Sequence, residues 1–181
     1  VVSKVLMSSS SEYWCTPETI LGPLRDKLGQ IVLDPCSNGY STVRADYEWI
    51  PPEHNGLTEE WLPTAKGGLV FVNPPYGRKI TGLWTRKIAN EVANGCEVVA
   101  LLPARTDTRW FHSLTQGTHK WAPSVCFIKG RIKFVDGLTG LVGTSAPFPS
   151  CLVYFGRQVS AFEDLGARLG LVFAHPCAII S

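Results

Sequence analysis

Continuously apolar runs alternating with helical patterns, then a closing set of shorter strands, predict an α/β fold: an open, mostly parallel sheet with an antiparallel edge. Ile31-Val32-Leu33, Leu69-Val70-Phe71-Val72 and Cys96 to Leu102 are apolar without alternation, the pattern of strands covered by helices on both faces. Between the last two, Ile80, Trp84, Ile88 and Val92 share one face of a helix predicted over Arg78 to Asn94, with Gly95 as its C-terminal stop. Beyond Leu102 the candidates are short strands at Val125 to Lys129, Arg131 to Val135 and Cys151 to Phe155. The last two are expected to pair antiparallel across the Gly- and Pro-rich loop Asp136 to Ser150.

The remaining elements follow in order. Residues 1–11 end in a serine cluster without a long apolar core and are expected to be an N-terminal arm, leaving 12–181 as one domain. Thr16-Pro17-Glu18 reads as an N-cap, an N1 proline and an acidic first turn, ahead of Ile20, Leu21, Leu24 and Leu28 at helical spacing. Gly22-Pro23 interrupts that pattern, so a helix starting at Pro23 is the alternative. Val43 to Ile50 is a weaker strand suited to an edge and closed by Pro51-Pro52, and Asp107 to Leu114 is amphipathic.

Composition narrows the function classes. A chain of 181 residues, 45% hydrophobic and 18% charged, has the size and the core of one ordinary domain, and its apolar runs are far shorter than a membrane span. The six cysteines (Cys15, Cys36, Cys96, Cys126, Cys151, Cys177) contain no Cys-x-x-Cys pair, and His54, His112, His119 and His175 show no ligand spacing. No metal is expected. Free thiols in apolar runs suit a reducing, cytoplasmic compartment. A net charge of +2 is too small to argue for nucleic-acid binding by itself, so any basic surface must be local.

Two loops follow buried strands: Asp34-Pro35-Cys36-Ser37-Asn38-Gly39 and Asn73-Pro74-Pro75-Tyr76. In open α/β sheets ligands sit beyond the carboxyl ends of the strands, so both loops are expected to face one crevice. Adjacent prolines fix two φ angles and remove two donors, leaving outward carbonyls beside the Asn73 side-chain carbonyl and the Tyr76 ring. That set suits a planar group bearing an NH₂, such as the amino group of adenine. The turn resembles the Asn/Asp-Pro-Pro-Tyr/Phe motif of amino-group methyltransferases that use S-adenosylmethionine.

The likeness extends in order along the chain. Glu12 to Pro17, Leu33 to Ser37, Asn55-Gly56-Leu57 with Trp61, Phe71 to Gly77, Leu101 to Thr108, Phe127 to Arg131 and Ala146 to Ser150 together are similar to the phage-type DNA adenine methyltransferase family. The resemblance implies a Rossmann-like methyltransferase fold, S-adenosylmethionine as donor and DNA adenine as acceptor, with a bacterial host or phage-infected cell as the setting. It places Trp14, Thr16, Pro17, Asp34, Pro35, Cys36 and Asn55 at the donor, although His54-Asn55 stands where the family's block usually begins with an acid. It places Asn73, Pro74, Pro75 and Tyr76 at the reacting amine.

On that reading transfer needs alignment and no covalent nucleophile. Asn73 and the Pro74 carbonyl accept from the two amino hydrogens, and the Tyr76 ring, rather than its hydroxyl, stacks on an extruded base. Asp34 either binds the donor's amino group or caps the Pro35 to Gly39 turn. Arg105, Lys129 and Arg131 are candidates for DNA phosphate; for the alternating Lys129, Arg131 and Lys133 a solvated strand face is the competing reading. Arg105 ends a buried strand and would there need a ligand or a carboxylate such as Asp107. Three functions stay open: a DNA adenine methyltransferase, a methyltransferase of an RNA base or protein glutamine, and a non-catalytic nucleic-acid-binding module. Recognition sequence and oligomeric state are not legible.

Overall fold

The structure, a computed structural model, describes residues 14–77, 79–116 and 120–174. The expected arm over 1–11, the block residues Glu12 and Tyr13, the expected helix start at Arg78, and His119, His175 and Cys177 lie outside them. In chain order the described elements are β1 (Trp14–Cys15), α1 (Glu18–Leu28), β2 (Ile31–Asp34), β3 (Tyr47–Glu48), α2 (Leu62–Ala65), β4 (Leu69–Val72), α3 (Ile80–Asn94) and β5 (Glu97–Pro103). They continue with α4 (Arg109–Gln116), β6 (Ser124–Ile128), β7 (Lys133–Asp136), β8 (Val142–Ser145), β9 (Ser150–Phe155), α5 (Val159–Leu169) and β10 (Gly170–Phe173).

Seven strands form the main sheet in the order β10-β6-β9-β5-β4-β2-β3. The pairs β3/β2, β2/β4 and β4/β5 are parallel. Strand β9 lies antiparallel between β5 and β6, so β6 again runs with β5, and β10 is antiparallel to β6. Five of the seven strands therefore point one way, which makes the sheet mostly parallel with antiparallel strands toward one edge.

Strand side chains alternate between faces, and the core divides accordingly. Val98, Ala100 and Leu102 of β5 join Trp84, Ile88 and Val92 of α3 and Phe111 and Leu114 of α4 on one side. Val99 and Leu101 join Leu21 and Leu24 of α1 and Phe162 and Leu165 of α5 on the other. This double cover explains why these strands read as unbroken apolar runs. Gly95 ends α3 in the left-handed conformation with its N–H on Glu91 and Val92 carbonyls.

Three expectations are corrected. Helix α1 is continuous through Pro23, and Pro17 rather than Thr16 is its N-cap: Pro17 is extended, its carbonyl accepts the Ile20 and Leu21 N–H groups, and the Thr16 hydroxyl is engaged elsewhere. The lost bond from residue 23 falls on Thr19, an exposed residue, where water can take the carbonyl. The expected pairing of Arg131 to Val135 with Cys151 to Phe155 does not form. Strand β9 is buried throughout and enters the middle of the main sheet, whereas β7 is partly exposed and pairs with β1 and with β8 in a separate three-stranded sheet. The loop Asp136 to Ser150 thus contains a strand of its own, and the segment after Ala161 continues α5 and supplies β10.

Candidate active site

Strand β2 has β3 on one side and β4 on the other, so the loops leaving the carboxyl ends of β2 and β4 diverge and open a crevice. Asp34 is the last residue of β2 and Asn73 follows β4. Both line one cleft of about 960 Å³, with Trp14, Thr16, Pro35, Cys36, Asn55, Pro74, Pro75, Tyr76 and Arg105. The far wall comes from the small sheet and the segment after it, through Phe134, Thr144, Ser145 and Phe148.

The Asn73 carboxamide is held at both ends. Its Nδ2 donates to Thr16 Oγ1 at 3.1 Å, and its Oδ1 accepts from the Tyr76 hydroxyl at 2.6 Å. The same hydroxyl lies 3.1 Å from the Leu101 carbonyl oxygen of β5, so its one proton is shared between two acceptors and the Asn73 turn is set against both Thr16 and β5. Burial pushes the Tyr76 hydroxyl well above its ordinary range, which keeps it protonated and a donor. A carbonyl oxygen has two lone pairs, so Oδ1 retains one for a ligand. The Tyr76 ring meets Phe148 edge-on at 5.3 Å between centroids.

Asp34 is buried. Its Oδ1 accepts from the Cys36 N–H at 3.1 Å and its Oδ2 from the Ser41 hydroxyl at 3.2 Å. Burial, followed by the nearby Glu48 charge, raises its pKa to about 7 against the bonds that favour the anion. The turn-capping reading holds through the Cys36 bond, and the carboxylate also faces the cleft. Such a poised carboxylate fits a cationic ligand group, whose charge would offset the cost of ionisation. The Cys36 thiol is pushed well up by burial and the neighbouring Asp34 and stays neutral.

The Asn55-Gly56-Leu57 loop closes the cleft beside Pro35. A Cβ on Gly56 would lie 2.0 Å from the Pro35 carbonyl oxygen, so only glycine allows the two loops to touch. Asn55 Oδ1 accepts from the Leu57 N–H at 3.0 Å, and the Gly56 carbonyl accepts from the Trp61 indole at 2.8 Å. His54 stacks on Trp49 at 5.2 Å and bonds Glu59 at 2.9 Å, which fixes the loop from outside.

Some expected residues lie elsewhere. Pro17 is buried at the start of α1 and does not line the cleft, and Lys129 and Arg131 are exposed on the turn after β6. Arg105 does line it, but is exposed and has no ion pair among the described residues. Water satisfies its charge there, so the expected need for Asp107 does not arise. Sequence reading missed Phe148, Thr144, Ser145 and Ser41. Phe148 sits in the block Ala146 to Ser150, which gave a signal without a role; Thr144 and Ser145 lie in a strand hidden inside an apparent loop. No three His, Cys, Asp or Glu side chains among the described residues form a metal-binding group.

Comparison with known proteins agrees with the ordered blocks. A DNA N-6-adenine-methyltransferase of Escherichia phage T1 is 25% identical over 144 residues, a match covering 71% of this chain and 56% of that protein. This chain thus spans just over half the length of that relative. The sequence model of the DNA N-6-adenine-methyltransferase (Dam) family matches residues 3–164, which take in both crevice loops, the small sheet and nearly all of the main one. By that match, the chain belongs to the DNA N-6-adenine-methyltransferase family.

Proposed function

We propose that the chain transfers a methyl group from S-adenosylmethionine to the exocyclic amino group of adenine in DNA, on a Rossmann-like methyltransferase fold. The single observation that carries this is the Asn73 carboxamide, oriented from both ends at the sheet's switch point with one carbonyl lone pair left over. Family membership supports the chemistry, and the cleft is at the upper end of the usual range for ligand sites, about 300–1,000 Å³, so it has room for a nucleoside-sized donor and an acceptor base.

S-adenosylmethionine supplies a methyl group already activated on a sulfonium. Asp34 offers its carboxylate to the ammonium end, and the Pro35 and Asn55-Gly56 loops form the adjoining wall. Asn73 Oδ1 and the Pro74 carbonyl accept from the amine of the target, which turns its lone pair toward the donor and stabilises positive charge as it develops on nitrogen. Tyr76 serves twice: its hydroxyl holds Asn73 and its ring, backed by Phe148, covers the base. Arg105 at the mouth suits a phosphate.

The direct test is to incubate the purified protein and methyl-labelled donor with duplex DNA, with RNA and with protein in parallel, hydrolyse each and identify the labelled base or side chain. Label on N6-methyladenine supports the assignment. Label on cytosine, on RNA or on protein glutamine alone overturns the acceptor, and no label on any of them overturns catalysis.

A further inference from the structure

Thr16, expected among the donor contacts, turns its hydroxyl to the residue that grips the amine. It lines the cleft yet is only 1% exposed, and its Oγ1 accepts from Asn73 Nδ2 at 3.1 Å. The backbone around it is held in place: the Cys15 thiol donates to the Tyr40 carbonyl at 3.1 Å, the Thr16 carbonyl accepts from the Thr42 hydroxyl, and the Pro17 carbonyl opens α1. Ser41, between Tyr40 and Thr42, gives its own hydroxyl to Asp34 at 3.2 Å. One short segment thus braces both the Asp34 carboxylate and the residue whose hydroxyl meets Asn73.

We propose that Thr16 is a positioning residue for the acceptor amine: its hydroxyl holds the NH₂ end of Asn73 and so leaves Oδ1 to the target nitrogen. The inference rests on the methyl-transfer reading above and adds to it the group that sets the amide's orientation. A carboxamide has unlike ends, and only the oxygen can accept from an amine. Yet both partners of Asn73 are hydroxyls, which can donate or accept, so an inverted amide would also find partners. Contact lengths distinguish the two orientations: 2.6 Å to Tyr76 is an O–H···O distance, and 3.1 Å to Thr16 suits N–H···O. The Tyr76 end is the weaker guide, because its proton is shared with the Leu101 carbonyl at 3.1 Å. Without Thr16 Oγ1, inversion would let Tyr76 accept from Nδ2 and give its proton to Leu101 undivided, and the target amine would meet an NH₂ instead of an acceptor.

The test compares the wild type with Thr16→Val, which keeps the branched shape without the hydroxyl, and Thr16→Ser, which keeps the hydroxyl; Thr16→Ala replaces Thr16→Val should that variant not fold. Each is assayed below its melting temperature for kcat on duplex DNA at saturating donor and for donor Kd by calorimetry. Magnetic resonance of protein carrying isotopically labelled asparagine follows the Asn73 side-chain NH₂ signal, assigned by its absence from Asn73→Ala. Thr16→Val is expected to lose at least about tenfold in kcat, with donor Kd within about threefold and the Asn73 signal shifted. Thr16→Ser is expected to stay within about threefold of the wild type in kcat with the signal kept. Unchanged kcat in Thr16→Val overturns the proposal, as does an equal loss in Thr16→Ser or an unmoved Asn73 signal in Thr16→Val. A donor Kd weakened tenfold with kcat intact returns Thr16 to the donor and overturns it too. A wild type that methylates no DNA removes the underlying reading, and the positioning role with it.

Discussion

Asn73 is a hub: its amide ties Thr16 before α1 to Tyr76 and, through Tyr76, to β5. Losing an oriented acceptor of developing charge typically lowers turnover by about 10²–10³-fold, and Asn73→Ala is expected to do so with donor affinity within a few-fold in calorimetry. Tyr76→Phe keeps the ring but frees Oδ1, so a loss of about tenfold or more in kcat is expected, where stacking alone would predict near-normal turnover. Asp34 makes a pH prediction. Its folded pKa of about 7 exceeds its ordinary 3.8, so between those values the native state holds a proton that the unfolded state has lost, and stability falls as pH rises across that window and is level above it. A cationic donor group favours the anion, so donor affinity should rise from pH 5.5 to about 7, with proton release on binding near pH 6. Asp34→Asn should melt higher than wild type at pH 8 and bind donor weakly with a flat pH profile.

At the scale of elements, the close approach of the Gly56 loop to Pro35 is a sensitive joint in the wall of the cleft. Gly56→Ala forces backbone apart and is expected to cost about 1–3 kcal/mol in stability, read by urea unfolding, and to weaken donor binding while leaving the spectrum of secondary structure intact. The strands β2, β4 and β5 and the helix α3 were legible because burial on both faces leaves no alternation to misread and Gly95 marks a stop. The Asp34 and Asn73 turns were legible for a related reason: proline-rich punctuation after an apolar run fixes where a strand ends. Of the small sheet, β7 was legible in the Arg131 to Val135 candidate, but the sheet itself was not. Its β8, Val142–Ser145, is short, largely exposed and glycine-bearing, so it has the composition of a loop, and antiparallel pairing with β7 across the Asp136 turn makes it a strand. The placement of β9 between β5 and β6 is a long-range pairing, which local pattern does not encode. For the same reason the Asn73 link to Thr16, across 57 positions, left no trace in spacing.

Across the whole molecule the charge is uneven: the chain's net charge is +2, yet residues 103–150 alone hold six cations and two acids. Binding to DNA should therefore weaken with salt, and Arg105→Ala, at the cleft mouth, should lower the slope of log K against log salt by about 1 if it meets a phosphate. Among the described residues no helix is long and apolar enough to cross a membrane. The proposed methylation of adenine N6 in DNA rests on the sheet's switch point, the clamp on Asn73 and the cationic margin. Base analysis of duplex DNA after reaction with methyl-labelled S-adenosylmethionine, run for the wild type and Asn73→Ala in parallel, tests that claim most directly. Label on N6-methyladenine that disappears in the variant is the expected result; label on another base, or equal label from both proteins, would overturn the proposed reaction.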